Sequence, residues 1–110
     1  MALERNKKEV KQLIGEASPE QIAEWKNKYK VIYIVVVEGH VLYLRKPDRA
    51  ILAYASTAAK DGPFQYIEAL MDNCKIGGSA IFDEDDDYYL AVMPQVEAIA
   101  ELKKAEIVKL

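Results

Sequence analysis

This 110-residue chain has one cysteine and one histidine, so it has little of the two side chains on which most metal and nucleophile chemistry rests. Cys74 alone rules out an internal disulfide and any paired-cysteine metal motif. The longest apolar run, Val31 to Val37, is strand-sized and falls far short of the roughly eighteen residues of a membrane span. Met1 to Lys11 contains no apolar core of the kind a secretory signal needs, so the expected location is a reducing cytoplasm. Glycine and proline are few, and Gly77-Gly78 has no Lys after it, which excludes a phosphate-cradling loop. No Gly-x-Ser-x-Gly elbow is present, and a glycosidase-like pair of carboxylates has no support in the sequence.

What is present is the composition of one soluble domain, 51% hydrophobic and 30% charged. A chain of this length buries roughly two-thirds of the surface its unfolded form exposes, enough for a core without disulfides or metals. The net charge of -3 is uneven: residues 1 to 60 hold eleven basic residues against seven acids, and residues 61 to 110 hold four against eleven. That distribution offers no strongly basic surface for nucleic acid, and fits better with oligomerisation or with a partner that matches one half.

Along the chain, Leu3 to Gly15 reads as a helix with a thin stripe of Val10, Leu13 and Ile14, so residues 1–17 are taken as a helical extension. Residues 18–110 then form a single α+β domain. Ser18 caps a second helix that runs to about Lys28, with Pro19 at its first position, Gln21 at the capping-box position and Trp25 as a core anchor. Val31 to Val37 and His40 to Arg45, joined by Glu38-Gly39, read as a β-hairpin. Alternation places Ile32, Ile34, Val36, Val41 and Tyr43 on one face and Tyr33, Val35, Val37, Leu42 and Leu44 on the other. Both faces are apolar. Either helices cover both, or one face is a subunit contact.

Pro47 opens a third helix whose inner side is Ile51, Leu52, Tyr54, Ala55 and Ala58, up to the break at Asp61-Gly62-Pro63. Pro63 to Cys74 forms a fourth, with a clean stripe of Phe64, Ile67, Leu70, Met71 and Cys74. Gly77-Gly78 reads as a turn, Ala80 to Phe82 as a third short strand, and a terminal helix follows that Pro94 splits in two. The fold class is therefore α+β, a hairpin with a third short strand packed by four to five helices.

Asp83, Asp85 and Asp87 alternate like the first ligands of a calcium loop. Tyr88, however, stands where the sharp turn needs Gly, and Pro94 where a closing Glu belongs. The acidic run therefore reads as a solvated loop in which Asp86 or Asp87 caps the last helix. Cys74 on its stripe reads as a small buried hydrophobe, with the single His away in a hairpin turn. Seven tyrosines and one tryptophan, with Lys26, Lys28, Lys30, Arg45, Lys46 and Arg49 near the hairpin, suggest stacking on single-stranded nucleic acid, but Tyr33 and Tyr43 on opposite faces offer no shared platform.

The order of certain features resembles a known group. Trp25-Lys26, Lys28-Tyr29-Lys30, the stretch from Tyr43 through Arg45-Lys46-Pro47-Asp48 to Arg49, the run Asn73 to Gly78 and the ending Lys104 to Leu110 are similar to small phage and prophage proteins of the tail-assembly-chaperone group. The likeness spans about residues 24–110. It implies a non-enzymatic morphogenesis factor in the host cytoplasm, with no cofactor and no metal, that escorts a helical tape-measure-like protein and self-associates. The alternative is another structural interaction module of a mobile element. The apolar contacts expected for either are Tyr89, Val92, Val96 and Ile99 on the last helix, or Tyr33, Val35 and Tyr43 on the hairpin. Core packing is the competing reading for each.

Overall fold

The computed structural model describes residues 13–102 and 104–110. Most of the helix expected over Leu3 to Gly15 lies outside them, and its described end is not helical. Instead, the Ile14 N–H donates to the Gly39 carbonyl at 2.8 Å and the Ile14 carbonyl accepts from the Val41 N–H at 3.0 Å. This short parallel bridge satisfies backbone groups beside the hairpin turn that would otherwise lack partners.

Helix α1 spans Pro19–Tyr29. Ser18 Oγ accepts from the Gln21 N–H at 3.1 Å, as the cap predicts, but the Gln21 side chain turns to Glu24 rather than back to Ser18, so the capping box is half made. The helix ends at Lys30, where φ is 68° and ψ is -52° and the Val31 N–H donates to the Tyr29 carbonyl at 2.7 Å. That is the rarer, strained form of γ-turn.

Strands β1 (Ile32–Val37) and β2 (His40–Arg45) pair antiparallel with Val37 opposite His40, close to the predicted limits. Glu38 and Gly39 both have positive φ, 46° and 85°, as a two-residue turn matching strand twist requires. Strand β3 is Lys75–Gly78 and pairs antiparallel with β2, giving the order β1-β2-β3. The third strand is therefore found, but it is built from Gly77 and Gly78 rather than from Ala80 to Phe82. These glycines answer to contacts, not to a turn. A Cβ on Gly77 would stand 2.7 Å from the Trp25 ring, and one on Gly78 would stand 2.4 Å from the Val41 carbonyl oxygen.

Helix α2 covers Arg49–Ala58 and runs into a single 3-10 turn, Ala59–Asp61. Its cap is Asp48, whose carboxylate accepts from the Ile51 N–H at 2.9 Å and pairs with Arg45 at 3.0 Å. Those two interactions hold the Asp48 carboxyl below its ordinary range. Pro47 precedes the helix instead of starting it. Helix α3 is Pro63–Cys74, as predicted. The expected inner stripes are only partly covered: Tyr54 is 61% and Phe64 43% exposed, while Ala55, Leu70, Met71 and Cys74 are buried.

Helix α4 is one turn, Ile81–Glu84, and α5 is Asp86–Ile99. The cap of α5 is Asp85, one residue earlier than expected, accepting from the Asp87 N–H at 2.9 Å. Pro94 does not split α5. It lies on the exposed side of the helix, and Leu90, whose carbonyl it deprives of a helical partner, is half exposed as well.

Among the described residues the architecture is a three-stranded sheet with α2, α3, α4 and α5 on one side and α1 on the other. Leu42 and Leu44 meet Ala55, Leu70, Met71, Cys74, Phe82, Val92 and Val96 in the main core, flanked by Tyr33, Val35 and Val37. On the opposite face Trp25 packs on Tyr43, ring centroids 5.1 Å apart, and the Ala17 N–H donates to the Tyr43 hydroxyl at 3.2 Å.

Candidate functional site

Three features could carry function: the residues singled out by the sequence, a polar cluster at the hairpin end, and the apolar side chains left outside. Of the first group, Val92 and Val96 are fully buried and Tyr43 is 3% exposed. Tyr89, Ile99, Tyr33 and Val35 are partly buried against the core. In this fold Val92, Val96 and Tyr43 have no free surface to present, because α5 faces the sheet and Trp25 with residues 14–17 covers Tyr43. Burial, with Asp72 and Glu68 nearby, pushes the Tyr89 hydroxyl up to about 12.

At the hairpin end the structure brings together two residues that lie 39 positions apart. His40 Nδ1 is 2.8 Å from Ser79 Oγ, and the Ser79 Oγ also accepts from the Ile81 N–H at 3.3 Å. The Tyr88 ring stands edge-on to His40 at 5.2 Å and to Phe82 at 5.9 Å. Partial burial, then the charges of Glu38 and Asp85, raise the Tyr88 hydroxyl above its ordinary range. The sequence places His40 at the hairpin turn, but no motif joins it to Ser79 or Tyr88, which lie 39 and 48 positions further on.

A serine beside an imidazole is the first half of a nucleophile and base pair. The second half is an acid that orients the ring, and among the described residues no hydrogen bond reaches His40 Nε2. With its hydroxyl held by both His40 and the Ile81 N–H, and only 8% exposed, Ser79 fastens the hairpin to the junction of β3 and α4.

Cys74 is fully buried, and desolvation pushes its thiol up to about 11, so it packs as a small hydrophobe and is a poor nucleophile. The acidic run is not the expected loop: Asp83 and Glu84 end α4, where Asp83 pairs with Lys75, Asp85 caps α5, and Asp86 and Asp87 lie in its first turn. Among the described residues no three His, Cys, Asp or Glu side chains gather to hold a metal. The cations near the hairpin are partly engaged as well, since Arg45 lies over the Tyr29 ring at 4.6 Å.

Besides Ile14 and the exposed Tyr54, Phe64 and Leu90 of the helices, the apolar side chains outside the core fall in two places. On the sheet, Ile34 is 52% and Val36 47% exposed, both on β1 and on the face turned away from α2, α3, α4 and α5. Past α5, residues 104–110 are neither helix nor strand, and Ile107 is 97% and Val108 72% exposed, with Leu110 fully so. A cleft lined by Pro47, Leu52, Ile99 and Leu102 opens where this segment leaves the domain.

No family model, no curated protein and no solved structure matches this chain. Among the described residues no helix is long and apolar enough to cross a membrane.

Proposed function

We infer that the chain is a non-enzymatic assembly factor of the tail-assembly-chaperone kind, which binds a long helical, tape-measure-like protein in the host cytoplasm through apolar surface. One observation supports the protein-binding part of this reading: Ile107, Val108 and Leu110 stand in solvent on a segment with neither helix nor strand, beside a domain whose core is already closed. Apolar side chains on a segment outside the packed domain are free to enter a partner's groove. Many weak contacts of this kind along one long partner add up through effective concentration. The resemblance noted for residues 24–110, which ends on this same segment, supplies the class of partner.

The test is co-expression of the full chain with the products of its neighbouring genes, among which this reading expects a long heptad-rich protein, followed by affinity capture. Capture is expected, and Ile107→Asp with Val108→Asp should abolish it while leaving the thermal melt of the domain in place. A chain that ignores its neighbours' products, or a double variant that still captures the partner, overturns the reading.

A further inference from the structure

We propose that the chain forms a two-fold dimer by antiparallel pairing of β1 with β1 of a second copy, centred on Ile34. The proposal stands on the hydrogen-bond parity of the sheet and does not rest on the partner inferred above. The Val41 N–H donates to Ile14 and the Val41 carbonyl accepts from the Ser79 N–H, so the backbone groups of Val41 point away from β1. Val41 lies opposite Val36. Val36 and Val41 are therefore a non-bonded pair, and the bonded pairs of the hairpin are Val37 with His40, Val35 with Leu42 and Tyr33 with Leu44. It follows that Ile32, Ile34 and Val36 direct their N–H and C=O groups to the outer edge of the sheet, where β1 is the terminal strand among the described residues.

Sheet edges are normally guarded by an inward charge, a proline or a bulge. Strand β1 reads Ile-Tyr-Ile-Val-Val-Val and carries none of these. Charge appears only at its two ends, as exposed Lys30 and Glu38. An antiparallel copy centred on Ile34 pairs Ile32 with the second copy's Val36, Ile34 with Ile34 and Val36 with Ile32. All the outward groups then bond at once, and Lys30 of each copy comes beside Glu38 of the other. Shifting the register by two residues either way leaves outward groups unpaired and separates Lys30 from Glu38, and a parallel pairing sets like charges together. The half-exposed Ile34 and Val36 then continue as one apolar row across both copies. Such a contact is isologous, and so closes at two copies.

A single strand pair buries less than the roughly 1,600 Å² of a standard interface, so the dimer is weak and must be sought at high concentration. Sedimentation velocity of the full chain from about 1 μM to about 1 mM spans that range of association. The expected result is a reversible rise from 12.4 kDa toward twice that mass. Ile34→Lys sets two lysines side by side on the two-fold axis and should abolish the rise with circular dichroism unchanged. Lys30→Glu should weaken association at least tenfold, and adding Glu38→Lys to it should recover most of the loss. A chain that stays monomeric throughout overturns the proposal and leaves the edge to a strand of some other protein. A dimer that persists in Ile34→Lys, or charge reversals that show no rescue, overturn it equally.

Discussion

On the side of the sheet that faces α2, α3 and α5, Leu42 and Leu44 are fully buried. On the other side Val41 and Tyr43 are buried as well, yet Ile34 and Val36, one strand away, are half exposed. The side chains on the two faces differ little in apolarity. What differs is the number of elements available to cover them. Three long helices close one face, whereas the other has α1, which reaches the sheet through Trp25, and the short segment 14–17, both lying over β2 and β3. Coverage runs out before β1. An apolar strand is thus a statement about local structure, and only the count of covering elements decides whether it becomes core or surface.

The largest effect should come from breaking the covered face. Phe82→Ala removes a fully buried ring between α4 and Tyr88, and should cost about 3 to 5 kcal/mol in urea unfolding. Ile34→Ala, on the open face, should cost less than about 1 kcal/mol in the monomer. Equal losses at the two positions would mean that β1 is covered in solution by something other than this domain.

Much of this architecture was legible in the residues. Glu38-Gly39 between two β-branched runs could only be a tight hairpin, and Pro63 to Cys74 carried its stripe at a helical period. The failures share a cause, which is that the deciding partner lies far away in sequence. Gly77-Gly78 looked like punctuation because nothing local reveals that the Trp25 ring and the Val41 carbonyl will fill the space of their missing Cβ atoms. Pro94 is the exception: it looked like a break because its cost was weighed alone, although the stripe of Val92, Val96 and Ile99 already put it on the outer side of the helix, where a proline is tolerated. The His40 and Ser79 contact joins positions with no common motif, and the apolar contacts expected on α5 went into the core because α5 is the element that closes it.

The glycines provide the next test, because they stand between the two faces. Gly78→Ala forces a side chain into a backbone conformation with φ of 127° and against the Val41 carbonyl, which cannot move without breaking the sheet. A loss of about 3 kcal/mol is expected. Gly77→Ala meets only the Trp25 ring, so the ring is displaced and α1 lifts, at about 1 to 2 kcal/mol. The single Trp makes this directly visible, since its fluorescence should shift to the red in Gly77→Ala. An unshifted spectrum would show that Trp25 does not cover this face.

Ser79→Ala comes next in size. It leaves His40 Nδ1 and the Ile81 N–H without their shared partner in a part-buried place, and should lower stability by about 1 to 2 kcal/mol. A fastening predicts that hydrogen exchange quickens at the hairpin turn and at α4, and not in α2. Uniform quickening throughout the domain would instead mark the contact as part of the global core.

The smallest effect is one of pH, and it belongs to the covered face. Tyr89 packs on the core from α5, and burial raises its hydroxyl from 10.0 to about 12. A group whose folded value is raised stabilises the fold fully below its unfolded value and loses that contribution as pH climbs through the folded one. The stability of the domain should therefore be flat with respect to Tyr89 below pH 10 and should decline between pH 10 and about 12. Tyr89→Phe keeps the ring and removes the ionisation, so it should change stability by less than about 0.5 kcal/mol at neutral pH. Above pH 10 its melting temperature should fall less steeply than that of the parent chain. The decline should persist in part, because Tyr88 is raised as well, by its own partial burial and by Glu38 and Asp85. Identical alkaline slopes in the two proteins would show that the Tyr89 hydroxyl is solvated in solution, and that α5 closes the core less tightly at its N-terminal end than at Val92 and Val96.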